Sequence, residues 1–290
     1  MRNQALGWLL WLYALNGFAG QAGGNAQPES VLLAAGDIAQ CGVPGAALTA
    51  ALIEKTPGVV LAVGDLAYPK GSSRDFERCF APTWGKFKER ILPAPGNHEY
   101  LTPGAAGYFE YFGNRAGEAG KSFYSVDLGQ WHIVSLDSNI DASPGSDQLR
   151  WLEQDLAESR HACVLAFWHH PRFSSGRHGN NTGMAAAWKA LYERGASVVI
   201  SGHDHNYERF APLDANGRPD EARGIRSFVV GSGGAKLYDF GVRDESSEAW
   251  NGSSWGVLKL SLYPDRYTWE FVPAGEAKFR DAGSGRCVKP

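Results

Sequence analysis

The chain is poor in the features that announce many common functions. Its 28 lysines and arginines form no basic run and are outnumbered by 31 acidic residues, for a formal charge of only −3. The electrostatic footprint of a nucleic-acid binder is therefore missing. There is no GxSxG element and no GxxxxGK[ST] loop, which removes the signatures of nucleophilic-serine hydrolysis and of P-loop chemistry. None of the four cysteines stands in a CxxC or Cys/His zinc spacing. No low-complexity block or long linker divides the 290 residues, and a 43% hydrophobic content is enough for one core of catalytic size.

The N-terminal apolar stretch "ALGWLLWLYAL" is too short for a comfortable membrane span. It follows Arg2 and precedes Gly17, Ala19, Gly20, Ala22, Gly24 and Ala26, the charge, apolar core and small-residue order of a secretory signal. Residues 1–26 are thus expected to be a signal peptide and 27–290 the catalytic domain of a secreted or periplasmic protein. A retained N-terminal anchor is the alternative. In an exported chain Cys41, Cys79, Cys163 and Cys287 can form two disulfides in three pairings. Their positions favour Cys41 with Cys79, both in loops after apolar runs, and Cys163 with Cys287, tying the C-terminus to a strand start. Free buried thiols are the competing possibility.

Periodicity predicts strands at "VLLAA", "GVVLAV" and "ILPAP", separated by helices over "GAALTAALIEK" and "DFERCFAPTWGKFKER". Further on come a hairpin about Leu128 to Gln130 and a helix over "SDQLRWLEQDLAES" capped by Ser146 or Asp147. A strand at "CVLAF", a helix closed by Gly195, a strand at "SVVIS" and a β-rich tail complete the pattern. Each half supplies its own βα set. The expected fold class is α/β, two β-sheets packed as a sandwich flanked by helices, with loops gathered at the carboxyl edges of parallel strands.

Those edges deliver chemistry. Asp37 closes one strand in "GDIA", and Asp65 another in "GDLAY", with Tyr68 three residues on. Asn97 and His98 follow in "GNHE", His169 in "FWHH", and His203 and His205 in "GHDH". Carboxylate, amide and imidazole donors without a thiolate suit iron, zinc or manganese. A single Gly-Asp or Gly-His pair says little, whereas five strand ends in this order form a specific constellation.

The series GDIA, GDLAY, GNHE, AFWH and GHDH over residues 31–210 resembles the five blocks of the calcineurin-like metallophosphoesterases, and in particular the purple acid phosphatase branch, whose second block ends in tyrosine. The resemblance implies a four-layer αββα metallophosphatase fold with two metal ions. Fe(III) would be held by Asp37, Tyr68 and His205, and Fe(II), Zn or Mn by Asn97, His169 and His203, with Asp65 bridging. The wider superfamily places a histidine where this chain has Ala39, and Tyr68 takes the vacant place. The purple acid phosphatases usually have glycine there, so Ala39 departs from that branch as well. His98 and His178 hold the positions that face the phosphate in the family, as candidates for binding phosphoryl oxygens or protonating the leaving group.

Blander roles compete at several positions. Tyr68 could pack a loop, and His178, in the Gly/Ser/Asn-rich "SSGRHGNNTG", could simply be a loop residue. His170, next to His169, reads as a supporting or substrate-facing residue rather than a ligand, because adjacent strand residues face opposite sides. His132 reads as a core histidine, His161 as an exposed one, and Asp204 either as a support for a neighbouring histidine or as a turn carboxylate. The expected activity is hydrolysis of small-molecule phosphate monoesters by metal-activated water, with no nucleic-acid partner and no membrane association after signal cleavage. A phosphodiesterase or nucleotidase on the same metals, and a non-catalytic exported binding protein, are the alternatives. The latter is disfavoured by a complete ligand set.

Overall fold

A computed structural model describes residues 27–118 and 120–288. The stretch read as a signal peptide, residues 1–26, lies outside them. Two mixed sheets carry the chain. Strands β1 (Ser30–Ala35), β2 (Val59–Val63) and β3 (Ile91–Ala94) run parallel as predicted. The second sheet begins with the hairpin β4 (Tyr124–Leu128) and β5 (Trp131–Ser135), turning at Gly129 with φ 60°. It continues through β6 (Cys163–Phe167), β7 (Val198–Ser201), β8 (Tyr207–Phe210), β9 (Arg226–Val230) and the edge strand β10 (Ser247–Asn251). The tail strands β11 (Gly256–Leu262), β12 (Arg266–Pro273) and β13 (Ala282–Arg286) return to the first sheet. The orders are β13-β12-β11-β1-β2-β3 and β10-β8-β9-β7-β6-β5-β4.

The β-rich tail is therefore divided between the sheets, which local periodicity could not reveal. β11 pairs antiparallel with β1, whereas β9 pairs parallel with β7. Strand alternation explains the layers. Leu165 and Phe167 of β6 face the core shared with Leu33, Leu61 and Leu260 of the first sheet, while Val164, Ala166 and Trp168 face a second apolar cluster.

Six α-helical segments accompany the sheets. They are α1 (Gly45–Lys55), α2 (Ser73–Asp75), α3 (Asn97–Tyr100), α4 (Ala106–Phe112), α5 (Asp147–Glu158) and α6 (Ala185–Glu193). α1 joins the inter-sheet core through Ala46, Ala50 and Ile53, and α5 and α6 cover the second sheet through Leu149, Leu152, Trp188 and Leu191. Ser146 is the cap of α5, its hydroxyl accepting from the Leu149 amide at 3.2 Å. The helix predicted over "DFERCFAPTWGKFKER" is instead broken into α2, a π-helical turn at Phe76–Phe80 and a 3-10 segment at Trp84–Arg90. Pro82 is the cause, since it has no N–H to donate and its ring collides with the carbonyl four residues back.

Among the described residues no helix is long and apolar enough to cross a membrane. Cys41 is bonded to Cys79 and Cys163 to Cys287, with Cα separations of 5.1 and 5.2 Å, the favoured one of the three pairings. The second links residues 124 apart, so its removal releases a long loop in the unfolded chain. Replacing both Cys163 and Cys287 by serine should lower the unfolding free energy by about 2–5 kcal/mol in a urea titration. Equal stability, or four alkylatable thiols in the wild-type protein, would rule the cross-link out.

Candidate metal centre

The loops that leave β1 and β2 run side by side. The amides of Asp37, Ile38 and Ala39 donate to the carbonyls of Gly64, Asp65 and Leu66 at 3.0, 2.9 and 3.1 Å, and Tyr68 N returns to Ala39 O at 3.0 Å. This short ladder sets Asp37, Asp65 and Tyr68 in register. Asp37, Asp65 and His203 adopt left-handed φ values of 58°, 51° and 70°, which non-glycine residues seldom do. Such strain costs about 1–3 kcal/mol per residue and persists where the surroundings over-determine it. Gly64 has φ +75° and no room for a side chain, since a Cβ would meet the His169 ring at 2.5 Å. At Gly96 a Cβ would meet the Asp65 amide at 2.2 Å. The glycines preceding these polar residues let the strand ends approach.

The seven candidate ligands fall into two touching groups. In the first, the Tyr68 hydroxyl lies 3.1 Å from Asp37 Oδ1, 3.2 Å from Asp65 Oδ2 and 3.1 Å from His205 Nε2, while His205 Nε2 is 3.2 Å from Asp37 Oδ1. In the second, His169 Nε2 lies 3.2 Å from Asn97 Oδ1 and 3.2 Å from His203 Nδ1. Asp65 touches both groups, since its Oδ2 is also 3.3 Å from His169 Nε2. The remaining imidazole nitrogens of His169 and His205 meet the carbonyls of Val63 at 3.0 Å and Lys236 at 2.8 Å, which fixes each tautomer with Nε2 turned inward.

Electrostatics reveal what is missing from this donor set. Asp37 and Asp65 are fully buried, and among the described residues no lysine or arginine is a partner of either. Burial opposes ionising Asp65, but the charge of a protonated His169, with His98 behind it, holds its carboxyl well below the usual range. Burial likewise opposes protonating His169, yet Asp65 and Asp37 push it up to about 10. Burial, reinforced by Asp37 and Asp65, drives the Tyr68 phenol well above its ordinary value. In the second group, burial and then His169 press His203 down to about 2. The protein alone must thus recruit a proton onto His169 to balance its carboxylates. Cations fit better, because bonds of about 2.0–2.2 Å would set their donors about 2.9–3.4 Å apart, the spacing seen here.

Both candidate phosphate-facing histidines are close by. His98 Nε2 is 3.8 Å from Asp65 Oδ2, and its Nδ1 is 2.6 Å from the Pro69 carbonyl. The exposed His178 ring sits 4.3 Å from that of His203. Asp204 supports no histidine ring; its carboxylate accepts from the Ser174 hydroxyl at 2.5 Å and the His178 amide at 2.9 Å, bracing the loop. His170 turns Nδ1 to the Ser138 hydroxyl, 2.8 Å away, but it does not point away from the cluster: with His169 and His203 it offers donor atoms within 4.8 Å of one another, because β6 has ended at Phe167 and strand alternation no longer governs the two histidines.

The order of the blocks, and their convergence on one donor cluster at the carboxyl edge of both sheets, match one family. The chain belongs to the calcineurin-like phosphoesterase family, whose model covers residues 15–207. It is purple acid phosphatase-like within that family. Over 195 residues it is 28% identical to purple acid phosphatase 15 of Arabidopsis thaliana, covering 54% of this chain and 37% of that protein. Against the nucleotide pyrophosphatase/phosphodiesterase of Hordeum vulgare it is 23% identical over 268 residues, covering 77% of this chain and 70% of the relative. A purple acid phosphatase from yellow lupin seeds shares the fold with a TM-score of 0.75 at 18% identity, over 88% of this chain and 53% of that one. The chain spans about two fifths of the length of the Arabidopsis phosphatases it matches. Purple acid phosphatase-like metallophosphoesterases use two metal ions, and the donors here suit that number.

Glu99 is the supporting residue the sequence reading passed over. It is fully buried; Oε1 accepts from the Leu66 and Ala67 amides at 2.9 and 3.2 Å, and Oε2 from Gly96 at 2.8 Å. One carboxylate thus clamps the Asp65 loop to the Asn97 turn. Its place three residues after Gly96 is that of the glutamate in a capping box, of which only this half exists because Gly96 has no side chain to return the bond. Gln40, Lys236 and Tyr238, which line the cleft beside Tyr68, His98 and His205, carried no such signal. Glu99→Ala strands three buried amides and should destabilise the fold by about 2–4 kcal/mol while lowering metal content. Thermal unfolding and metal analysis would check this, and wild-type values in both would refute the clamp.

Proposed function

We propose that this chain is an exported dinuclear phosphatase that hydrolyses phosphate monoesters. The convergence of Asp37, Asp65, Tyr68, Asn97, His169, His203 and His205 on one buried, carboxylate-rich cluster carries the reading. In it, Asp37, Tyr68 and His205 would hold Fe(III), Asn97, His169 and His203 would hold Fe(II), Zn or Mn, and Asp65 would serve both. When bound, the two cations supply the positive charge that neutralises a phosphate and acidifies a water.

The remaining work falls to the chain. Tyr68, whose phenol stays protonated among carboxylates, gives up its proton only to a strong positive charge, which favours a trivalent ion in the first group. Peptide carbonyls hold the His169 and His205 rings so that no reorientation is needed on binding. His98 Nδ1 donates to Pro69 O, so the proton it can deliver to a leaving alkoxide resides on Nε2, the nitrogen nearest Asp65. His178, on its braced loop beside His203, binds phosphoryl oxygens. The open cleft of about 480 Å³ beside Tyr68 and His205 leaves room for varied leaving groups. The two disulfides support export, with residues 1–26 as the leader and 27–290 as the catalytic domain.

Phosphodiester or nucleotide pyrophosphate hydrolysis is the second reading, favoured by likeness to the barley enzyme over most of both chains. A monoester presents a dianion to both cations, whereas a diester has one charge less and a second substituent to house. With metal-replete protein, kcat/KM for an aryl monoester should exceed that for the matching diester across pH. His98→Ala should keep both metals and lose about 10²–10⁴ in kcat. A diester preference at every pH would overturn the monoester assignment, and undiminished turnover in His98→Ala would remove its proton-transfer role.

A further inference from the structure

The sequence treated His132 as a core residue and His161 as an exposed one. The structure brings them together with two carboxylates. Asp127 and His132 are direct cross-strand partners in the β4–β5 hairpin, with Asp127 Oδ1 2.8 Å from His132 Nδ1. His161, two residues before β6, places Nδ1 3.5 Å from the same oxygen. The ring centroids of His132 and His161 are 5.9 Å apart with an 18° interplanar angle. Asp127, His132 and His161 therefore each offer one donor atom, and the three atoms lie within 4.8 Å of one another.

A fourth residue orients the set. Asp155, on α5, takes the other nitrogen of His132, Nε2, at 2.7 Å, and is itself held by the Ser125 hydroxyl at 2.7 Å. This is the carboxylate–histidine arrangement that fixes a ligand's tautomer, leaving Nδ1 free to bind a metal. The cluster stands at the amino-terminal ends of β5 and β6, whereas His169 follows the carboxyl end of β6, so the two centres occupy opposite edges of the second sheet.

We propose that Asp127, His132 and His161 form a further metal site, selective for Zn²⁺ or a similar borderline divalent ion. Two imidazoles and one carboxylate make a tetrahedral N₂O set with one position left for water, typical of zinc chemistry. Tetrahedral bonds of about 2.0–2.1 Å require donors about 3.3–3.4 Å apart. The Asp127–His161 distance of 3.5 Å is close to this, the Asp127–His132 distance must open by about half an ångström as the metal replaces the bridging proton, which leaves to solvent, and the two imidazole donors start within 4.8 Å of each other. Asp127 is half-exposed, giving the ion an entrance, while His132 is 5% exposed and supplies the rigid base. The bound ion would staple the β4–β5 hairpin to the start of β6 and to α5.

The test is zinc uptake by enzyme already carrying its catalytic metals, measured by equilibrium dialysis at micromolar free Zn²⁺ and neutral pH. Wild type should bind one equivalent more than His161→Ala and one more than Asp127→Asn, and added Zn²⁺ should raise the unfolding temperature of wild type alone. Phosphatase activity should be the same in all three. Because uptake is read as a difference, it does not depend on the count at the catalytic centre. Equal uptake by wild type and His161→Ala would overturn the proposal and leave His132 as a protonated bridge between two carboxylates.

Discussion

Two buried carboxylates, Asp37 and Asp65, share one phenol oxygen at 3.1 and 3.2 Å, and among the described residues no lysine or arginine partners them. Isolated charges of this kind are too costly to bury unless something positive answers them. The surrounding architecture holds that unfavourable arrangement in place. The parallel ladder between the β1 and β2 loops sets the register, Glu99 clamps the Asp65 loop to Gly96, and the Cys41–Cys79 bond closes the same region from outside. Left-handed backbone at Asp37, Asp65 and His203 marks where strain is concentrated.

The inter-sheet core supplies the rigidity this requires. Leu33, Leu61, Leu165, Phe167 and Leu260 come from both sheets into one continuous cluster, so the strands that end at Asp37, Asp65 and His169 are anchored in common packing. Loops on such a scaffold can carry precise chemistry, because their ends are not free to move apart. The two-layer design also separates the two polar clusters along the strands. The carboxyl edge gathers the seven candidate ligands, while the Asp127, His132 and His161 cluster occupies the opposite edge of the second sheet.

Much of this was legible in the sequence, for identifiable reasons. Strand ends reading Gly-Asp, Gly-Asn and Gly-His combine a hydrophobic run, a residue without a side chain and a ligand type, three independent signals at adjacent positions. The break in the segment before β3 was also visible in principle, since Pro82 cannot continue a helix. Other features depend on contacts distant in sequence. That β11 returns to β1 while β9 stays with β7 is a matter of topology, invisible to local periodicity. His132 and His161 look unremarkable singly, because their meeting with Asp127 and Asp155 depends on hairpin register and on the docking of α5. Lys236 and Tyr238 reach the cleft from a loop between β9 and β10 that has no pattern of its own.

In the proposed centre Tyr68 and Asp37 hold a trivalent iron beside a second cation that shares Asp65. Metal content and visible absorption measured on one sample, purified without chelators, address that directly. At least two metal ions per chain, one of them iron, should accompany a tyrosinate-to-iron charge-transfer band that vanishes in Tyr68→Phe while the fold is retained. Fewer than two metals, or an iron-loaded protein that is colourless or keeps its colour in Tyr68→Phe, would contradict it.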